Sequence, residues 1–316
     1  MRNYFVLAFA LALAALVCAP LAPRGGGRGQ ARQRQDKFRR SARPLAGRYV
    51  VMFDDEEVGP RGENSRAPEF AAEIAARHGA RVLKVFRRLG QGFSAEMSEE
   101  AAVALSRDPR VLYVEEDGEV RAASVQQQGL ATQQDLTIDQ NQYGLWGLDR
   151  IDHHEPYLDW KYSYRRTGAG VTVYVFDTGI RTSHAEFGGR ASVFYDALGG
   201  DGQDCNNHGT AVAGTIGGST YGVAKGVWLR SVRVLDCQGV GAESDIIDGL
   251  DVVTGDFLSH LPAVANMSFT GPVSETFDAF LTNAMAMGLT IVAAAGDTNE
   301  DACNFSPGHV PGVHTI

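Results

Sequence analysis

Apolar and polar positions change period several times along the chain. Residues 48–53, Arg-Tyr-Val-Val-Met-Phe, form a short apolar run that predicts a strand, and Asp54-Asp55-Glu56-Glu57 carries the chain back to the surface. Pro68 then opens a helical pattern with Phe70, Ile74 and several alanines on one side, closed by Gly79. Residues 82–86 and 92–97 predict two further strands. Ser98 caps a second helix, with Glu99 and Glu100 in its first turn and Pro109 past its end. A last strand is predicted over 111–114, ending at the charges of Glu115-Glu116-Asp117. The order is βαββαβ, a small α+β module with no catalytic spacing in it.

From Trp146 the pattern alternates. Strands are predicted over 171–176, 228–235, 263–269 and 289–295, and helices over 209–217, 243–254 and 274–287. Such alternation predicts an α/β architecture, a mostly parallel sheet flanked by helices.

The N-terminus bears on compartment. Arg2 precedes an apolar run over 4–17, and Val17-Cys18-Ala19 offers small residues for cleavage, so residues 1–19 read as a signal peptide and the protein as secreted and extracellular. Residues 20–46 are rich in Arg, Gly and Pro without apolar period and read as an exposed linker. No second long apolar run occurs, so no membrane partner is expected. A net charge of -9 argues against a nucleic-acid partner. Of four cysteines, Cys18 would leave with the signal. Cys205, Cys237 and Cys303 remain, an odd number for an oxidising compartment.

Candidate chemistry starts at Asp177, a carboxylate ending the apolar strand over 171–176. Buried there without a partner it would cost several kcal/mol; the alternative is a surface Asp capping the next turn. Phe176-Asp177-Thr178-Gly179 also fits an aspartic protease, but that chemistry needs two such carboxylates, and no second Asp-Thr-Gly or Asp-Ser-Gly is present. His208 opens a helix of small residues, Gly209-Thr210-Ala211-Val212-Ala213-Gly214, that can pack closely on a sheet. An imidazole so placed can take a proton from a nucleophile while a buried Asp holds its tautomer. His184 is the rival, in a loop without such a helix.

The segments "VYVFDTGI", "NNHGTAVAGTIGG" and "TYGVAKGVWLRSVRVLDCQGVG" together resemble the subtilase superfamily (peptidase S8), and within it the proteinase K group. Ahead of them, "RYVVMF", "GFSAEMS" and "PRVLYVEEDGEV" resemble the inhibitor I9 propeptide. The resemblance implies a subtilisin-like catalytic domain over 143–316, a propeptide over 47–121 that blocks it, and a processing linker over 122–142. It implies a serine endopeptidase acting on peptide or protein substrates and bound by its own propeptide, with Asp177 as orienting carboxylate and His208 as general base. Ser268, Phe269 and Thr270, in Asn266-Met267-Ser268-Phe269-Thr270-Gly271, fall on the strand that pairs with extended substrate, Thr270 replacing a common Gly. Cys205 and Cys237 match a disulfide of some proteinase K relatives, and Cys303 half of a pair whose second half comes later. No cofactor is required for the chemistry. A structural calcium would be met by the backbone carbonyls of Pro311 and Val313.

Two departures stand out. Where relatives carry an Asn that donates to the oxyanion, this chain has Ala294-Ala295-Gly296-Asp297. Ionised, Asp297 would oppose the developing charge by roughly 4 kcal/mol at about 4 Å. The family's nucleophile sits in Gly-Thr-Ser-Met-Ala, which is absent here, and Ser219, Ser268 and Ser306 lie in other family elements. The expectation is a chain truncated before its nucleophile and inactive by itself. The alternatives are a catalytically dead subtilase acting as a binding protein, or a propeptide-type inhibitor.

Overall fold

The computed structural model describes residues 37–124 and 146–316, apart from 153, 156 and 160. The signal peptide expected over 1–19 and most of the linkers expected over 20–46 and 122–142 lie outside these residues.

The first region runs β1 (Phe38–Arg39), β2 (Pro44–Phe53), α1 (Asp55–Val58), α2 (Ala67–His78), β3 (Arg81–Phe86), β4 (Gly92–Glu96), α3 (Glu99–Leu105) and β5 (Val111–Ala122). Strands β5, β2, β4 and β3 pair antiparallel in that order, and β1 lies parallel to β5. The apolar run at 49–53 has no polar face, and the packing shows why. Tyr49, Val51 and Phe53 cover α2 and α3 on one side, while Val50 and Met52 join a second core on the other.

That second core belongs to the remainder of the chain. After α4 (Trp146–Ile151) come β6 (Thr172–Asp177), β7 (Ala191–Asp196), α5 (His208–Gly217), β8 (Trp228–Arg233), β9 (Val240–Ala242) and α6 (Glu243–Phe257). They are followed by β10 (Ala263–Met267), β11 (Phe269–Pro272), α7 (Glu275–Ala286), β12 (Thr290–Ala293), β13 (Phe305–Ser306) and β14 (His314–Thr315). Six strands form a wholly parallel sheet in the order β14-β12-β10-β6-β8-β7. Tyr174 and Phe176 of β6 pack towards α6 and α7, and Val173 and Val175 pack towards Val212 and Ala213 of α5. Among the described residues no helix is long and apolar enough to cross a membrane.

Three expectations are corrected. Residues 37–46 are not exposed linker: Phe38 pairs with Val114, Lys37 Nζ donates to the Val111 carbonyl at 2.5 Å, and β2 starts at Pro44. The strand expected to stop at Val114 continues to Ala122, because its carboxylates find partners. Glu115 accepts from the Thr276 N–H at 3.3 Å and from its hydroxyl, at the head of α7. Asp117 accepts from Ser244 at the head of α6, and Glu116 from Arg40 and the Ser41 N–H. A helix start leaves its first N–H groups without partners and favours negative charge, so Glu115 and Asp117 are held there rather than in water. The single strand expected over 263–269 is two strands, one in each sheet, with Ser268 at the break.

Strand β5 therefore joins the two regions. Its first half pairs with β2, and its second half lies between β9 and β11, antiparallel to both. From the neighbouring loop, the N–H groups of Arg87, Arg88 and Leu89 all donate to Asp251 of α6, at 3.0, 2.7 and 2.8 Å.

Candidate active site

Asp177 ends the central strand β6, and His208 is the first residue of α5, which lies across that strand end. Asp177 is fully buried and His208 Nδ1 donates to its two carboxylate oxygens at 2.7 and 2.9 Å. Close approach is what the small residues of α5 permit. A Cβ on Gly209 would stand 2.1 Å from the Gly179 carbonyl oxygen and 3.0 Å from Asp177 Cβ, so any side chain there would push the helix away. Burial by itself would lower the His208 pKa, but the hydrogen bond and charge of Asp177 outweigh it and hold the imidazole above its ordinary value.

A residue that sequence reasoning passes over holds this pair in place. Asp204 accepts from Thr178 Oγ1 at 2.8 Å, from the Asn206 and Asn207 N–H groups at 2.9 Å each, and from the Thr210 N–H at 2.9 Å. It ties the residue after Asp177 to the turn that carries His208. The available signal was its place four residues before His208 in an Asx-rich turn. Cys205 and Cys237 are joined by a disulfide that anchors the same turn, and Asn206 Nδ2 donates to the Cys237 carbonyl at 2.9 Å. Cys303 is also disulfide-bonded.

The other face of the imidazole meets β5. His208 Nε2 lies 2.6 Å from the carbonyl oxygen of Ala123. Carboxylate and carbonyl both present acceptors to the ring, so the arrangement favours a protonated imidazole. Ala123 is held by its N–H on the Ser268 carbonyl at 2.9 Å, and Ala122 by its N–H on the Gly239 carbonyl at 2.8 Å. Of the expected substrate-strand residues, Ser268 thus presents its carbonyl, while Phe269 and Thr270 pair with Ala122 and Arg121 through backbone. The Phe269 side chain is wholly buried in the core. A cavity of about 190 Å³ opens here, lined by Ser124, His208, Asn266, Ser268 and Ala294 among others.

Asp297 is exposed and contacts the residue after Ala123. The Ser124 N–H donates to Asp297 Oδ2 at 2.8 Å, and the Ser124 hydroxyl donates to the same oxygen. Those two donors hold its carboxyl below the usual carboxylate range.

Further along β5, acids crowd. Glu243 is buried beside Gly118 and Gly271, and its Oε1 has no hydrogen-bond partner. Burial first, then the charges of Glu115 and Asp117, push its pKa well up. Asp245 is pushed up to about 6, mainly by burial and against the pull of Arg48.

Several candidates fall elsewhere. His184 Nδ1 accepts the Glu186 N–H and caps a turn beside Phe187. Ser306 Oγ donates to Asp278 at 2.6 Å and His309 Nε2 meets the other oxygen of that carboxylate at 2.7 Å. The acid stands between serine and histidine there, so His309 cannot take the Ser306 proton. Pro311 and Val313 lie on the turn before β14, and among the described residues no three His, Cys, Asp or Glu gather around a metal position. Two carbonyls fall short of the roughly six to eight oxygens that calcium takes.

Comparison with known proteins gives the following. The Subtilase family model matches residues 168–315, and the peptidase inhibitor I9 model matches residues 48–123. The extracellular serine proteinase of Thermus sp. (strain Rt41A) is 45% identical over 287 residues, covering 86% of this chain and 66% of that protein. Proteinase R of Parengyodontium album is 34% identical over 303 residues, covering 94% of this chain and 72% of that protein. The crystal structure of fervidolysin from Fervidobacterium pennivorans superposes with a TM-score of 0.62 at 18% identity, over 88% of this chain and 44% of that one, a likeness of fold. The chain thus spans about two thirds of the length of these curated relatives.

Proposed function

The chain belongs to the subtilase family, and from that premise we propose that it is the precursor of a secreted serine endopeptidase held shut by its own first domain. One set of contacts carries the proposal: His208 reaches the buried carboxylate of Asp177 with Nδ1 and a peptide carbonyl of the preceding domain with Nε2. A strand laid antiparallel between β9 and β11, its carbonyl against the general base, is how an extended substrate would lie.

In the working enzyme Asp177 fixes the tautomer with Nδ1–H and stabilises the imidazolium. His208 Nε2 takes the proton of a serine hydroxyl as that oxygen attacks the substrate carbonyl, then returns it to the leaving amine. The nucleophilic serine is not among these 316 residues, and by themselves they do not hydrolyse peptides. Residues 47–121 with the continuation of β5 act as inhibitor, and residues 143–316 carry the Asp–His half of the machinery. The extracellular name of the Thermus relative and the apolar run over 4–17 support secretion.

The test is the gene product read through to its natural stop codon, purified and assayed on peptides beside His208→Ala. Hydrolysis in the first, covalent labelling by a serine-directed fluorophosphonate, and loss of both in the variant are expected. No hydrolysis, with the first domain retained throughout, would instead mark a binding protein on this scaffold.

A further inference from the structure

We propose that Asp297 reads the leaving side of the bond to be cut, selecting a serine or threonine there, and that it thereby sets the processing point of this chain between Ala123 and Ser124. The inference rests on the endopeptidase reading above.

The geometry comes from both sides of one peptide bond. Up to Ala123 the segment is held by strand pairing, through Ala122 to the Gly239 carbonyl and through Ala123 to the Ser268 carbonyl. The Ala123 carbonyl is the one that meets His208 Nε2, at 2.6 Å. The next residue passes to a different holder, with the Ser124 N–H at 2.8 Å from Asp297 Oδ2 and the Ser124 hydroxyl on the same oxygen. The Ala123–Ser124 bond therefore has its acyl side on the general base and its amine side on a carboxylate.

The chemistry of the side chain explains the division. A carboxylate only accepts hydrogen bonds, so Asp297 has nothing to offer a carbonyl oxygen that gains negative charge. It suits the opposite partner, an N–H that becomes an amine, and a neighbouring hydroxyl doubles the contact. Serine and threonine supply that hydroxyl; alanine and glycine do not. Hydrolysis breaks the bond between the Ala123 carbonyl carbon and the Ser124 nitrogen. The serine oxygen first replaces the nitrogen, the proton from His208 goes to the Ser124 amine, and water then releases Ala123 as a carboxylate. The proton from His208 leaves Ser124 as a neutral amine, which becomes an ammonium only by taking a further proton from water, and that charge then faces the carboxylate of Asp297.

The experiment uses the gene product read to its natural stop. N-terminal sequencing of the mature form is expected to give Ser124, and an active enzyme starting at any other residue overturns the processing point. Peptides that differ only in the residue after the cut provide the second readout. Serine and threonine should exceed alanine and glycine by on the order of 10-fold in kcat/KM, and Asp297→Asn should narrow this to about 2-fold. Ser124→Ala, which leaves Asp297 intact, should slow self-processing or move the new N-terminus. Hydrolysis without the hydroxyl preference, or with a preference unchanged in Asp297→Asn, overturns the inference and leaves the endopeptidase standing. Absence of hydrolysis on every peptide overturns both.

Discussion

Asp117, fully buried on β5, accepts hydrogen bonds from the Ser244 N–H at 3.0 Å and the Ser244 hydroxyl at 2.7 Å at the head of α6. The N-cap of that helix is Ala242, whose side chain has nothing to accept with, so the first region supplies the cap that the second lacks. Arg48 Nε completes the set at 3.0 Å.

Removing that carboxylate leaves the start of α6 open and leaves Arg48 with only Ser244 Oγ, at 2.8 Å, and Asp245, at 3.6 Å. Asp117→Ala should lower the unfolding free energy of the whole chain by about 3 kcal/mol. Urea denaturation measures it, and a change within about 0.5 kcal/mol would show that α6 is capped adequately without the first region.

Asp177→Asn should abolish most turnover without unfolding the protein. The amide fits the same space but cannot stabilise the imidazolium and allows the wrong tautomer, for a drop in kcat of about 10⁴-fold. Kinetics of the gene product read to its natural stop, with circular dichroism as control, decide it. An Asn variant with nearly full activity would remove Asp177 from the mechanism.

Rising pH should loosen the first region from the second. His208, Glu243 and Asp245 all have pKa values raised in this arrangement, so the stability they contribute is present at low pH. It is lost as pH climbs from the ordinary values through the raised ones, for Asp245 between 3.8 and about 6. Glu243 then ionises against Glu115, Asp117 and Asp278, all acidic. The neutral replacement Glu243→Gln should keep the regions associated to higher pH. Gel filtration of the processed protein across a pH series gives the midpoint, and a midpoint unmoved by the substitution would exclude Glu243 as a contributor.

Reducing the Cys205–Cys237 disulfide should act on the site as well as on stability. The bridge closes a loop of sequence separation 32, for which loop entropy gives about 3.7 kcal/mol. It also fixes the turn in which Asp204 holds His208. Cys205→Ser should lower the melting temperature and reduce kcat together, and a stability loss with kcat intact would show that Asp204 positions the turn unaided.

What the sequence by itself determined is local. Alternating apolar strands and helices announced the parallel sheet, and the small residues after His208 announced a helix able to press against it. Asp177 at a strand end and His208 at a helix start were legible because each stands at a change of hydrophobic period, the point where a buried sheet delivers a polar group. The residues from 115 to 124 were not legible in the same way. Glu115-Glu116-Asp117 reads as a solvated exit from a strand, since free carboxylates in water are the default for acids in sequence. Only the tertiary structure brings the starts of α6 and α7 to them, and with those N–H groups as partners the acids stay in a strand that runs on to the imidazole. The same holds for Asp204 and Asp297, whose roles depend on which N–H and hydroxyl groups the fold gathers around a carboxylate. Hydrophobic period is a property of neighbours along the chain, whereas the satisfaction of a buried or site-facing charge is a property of neighbours in space.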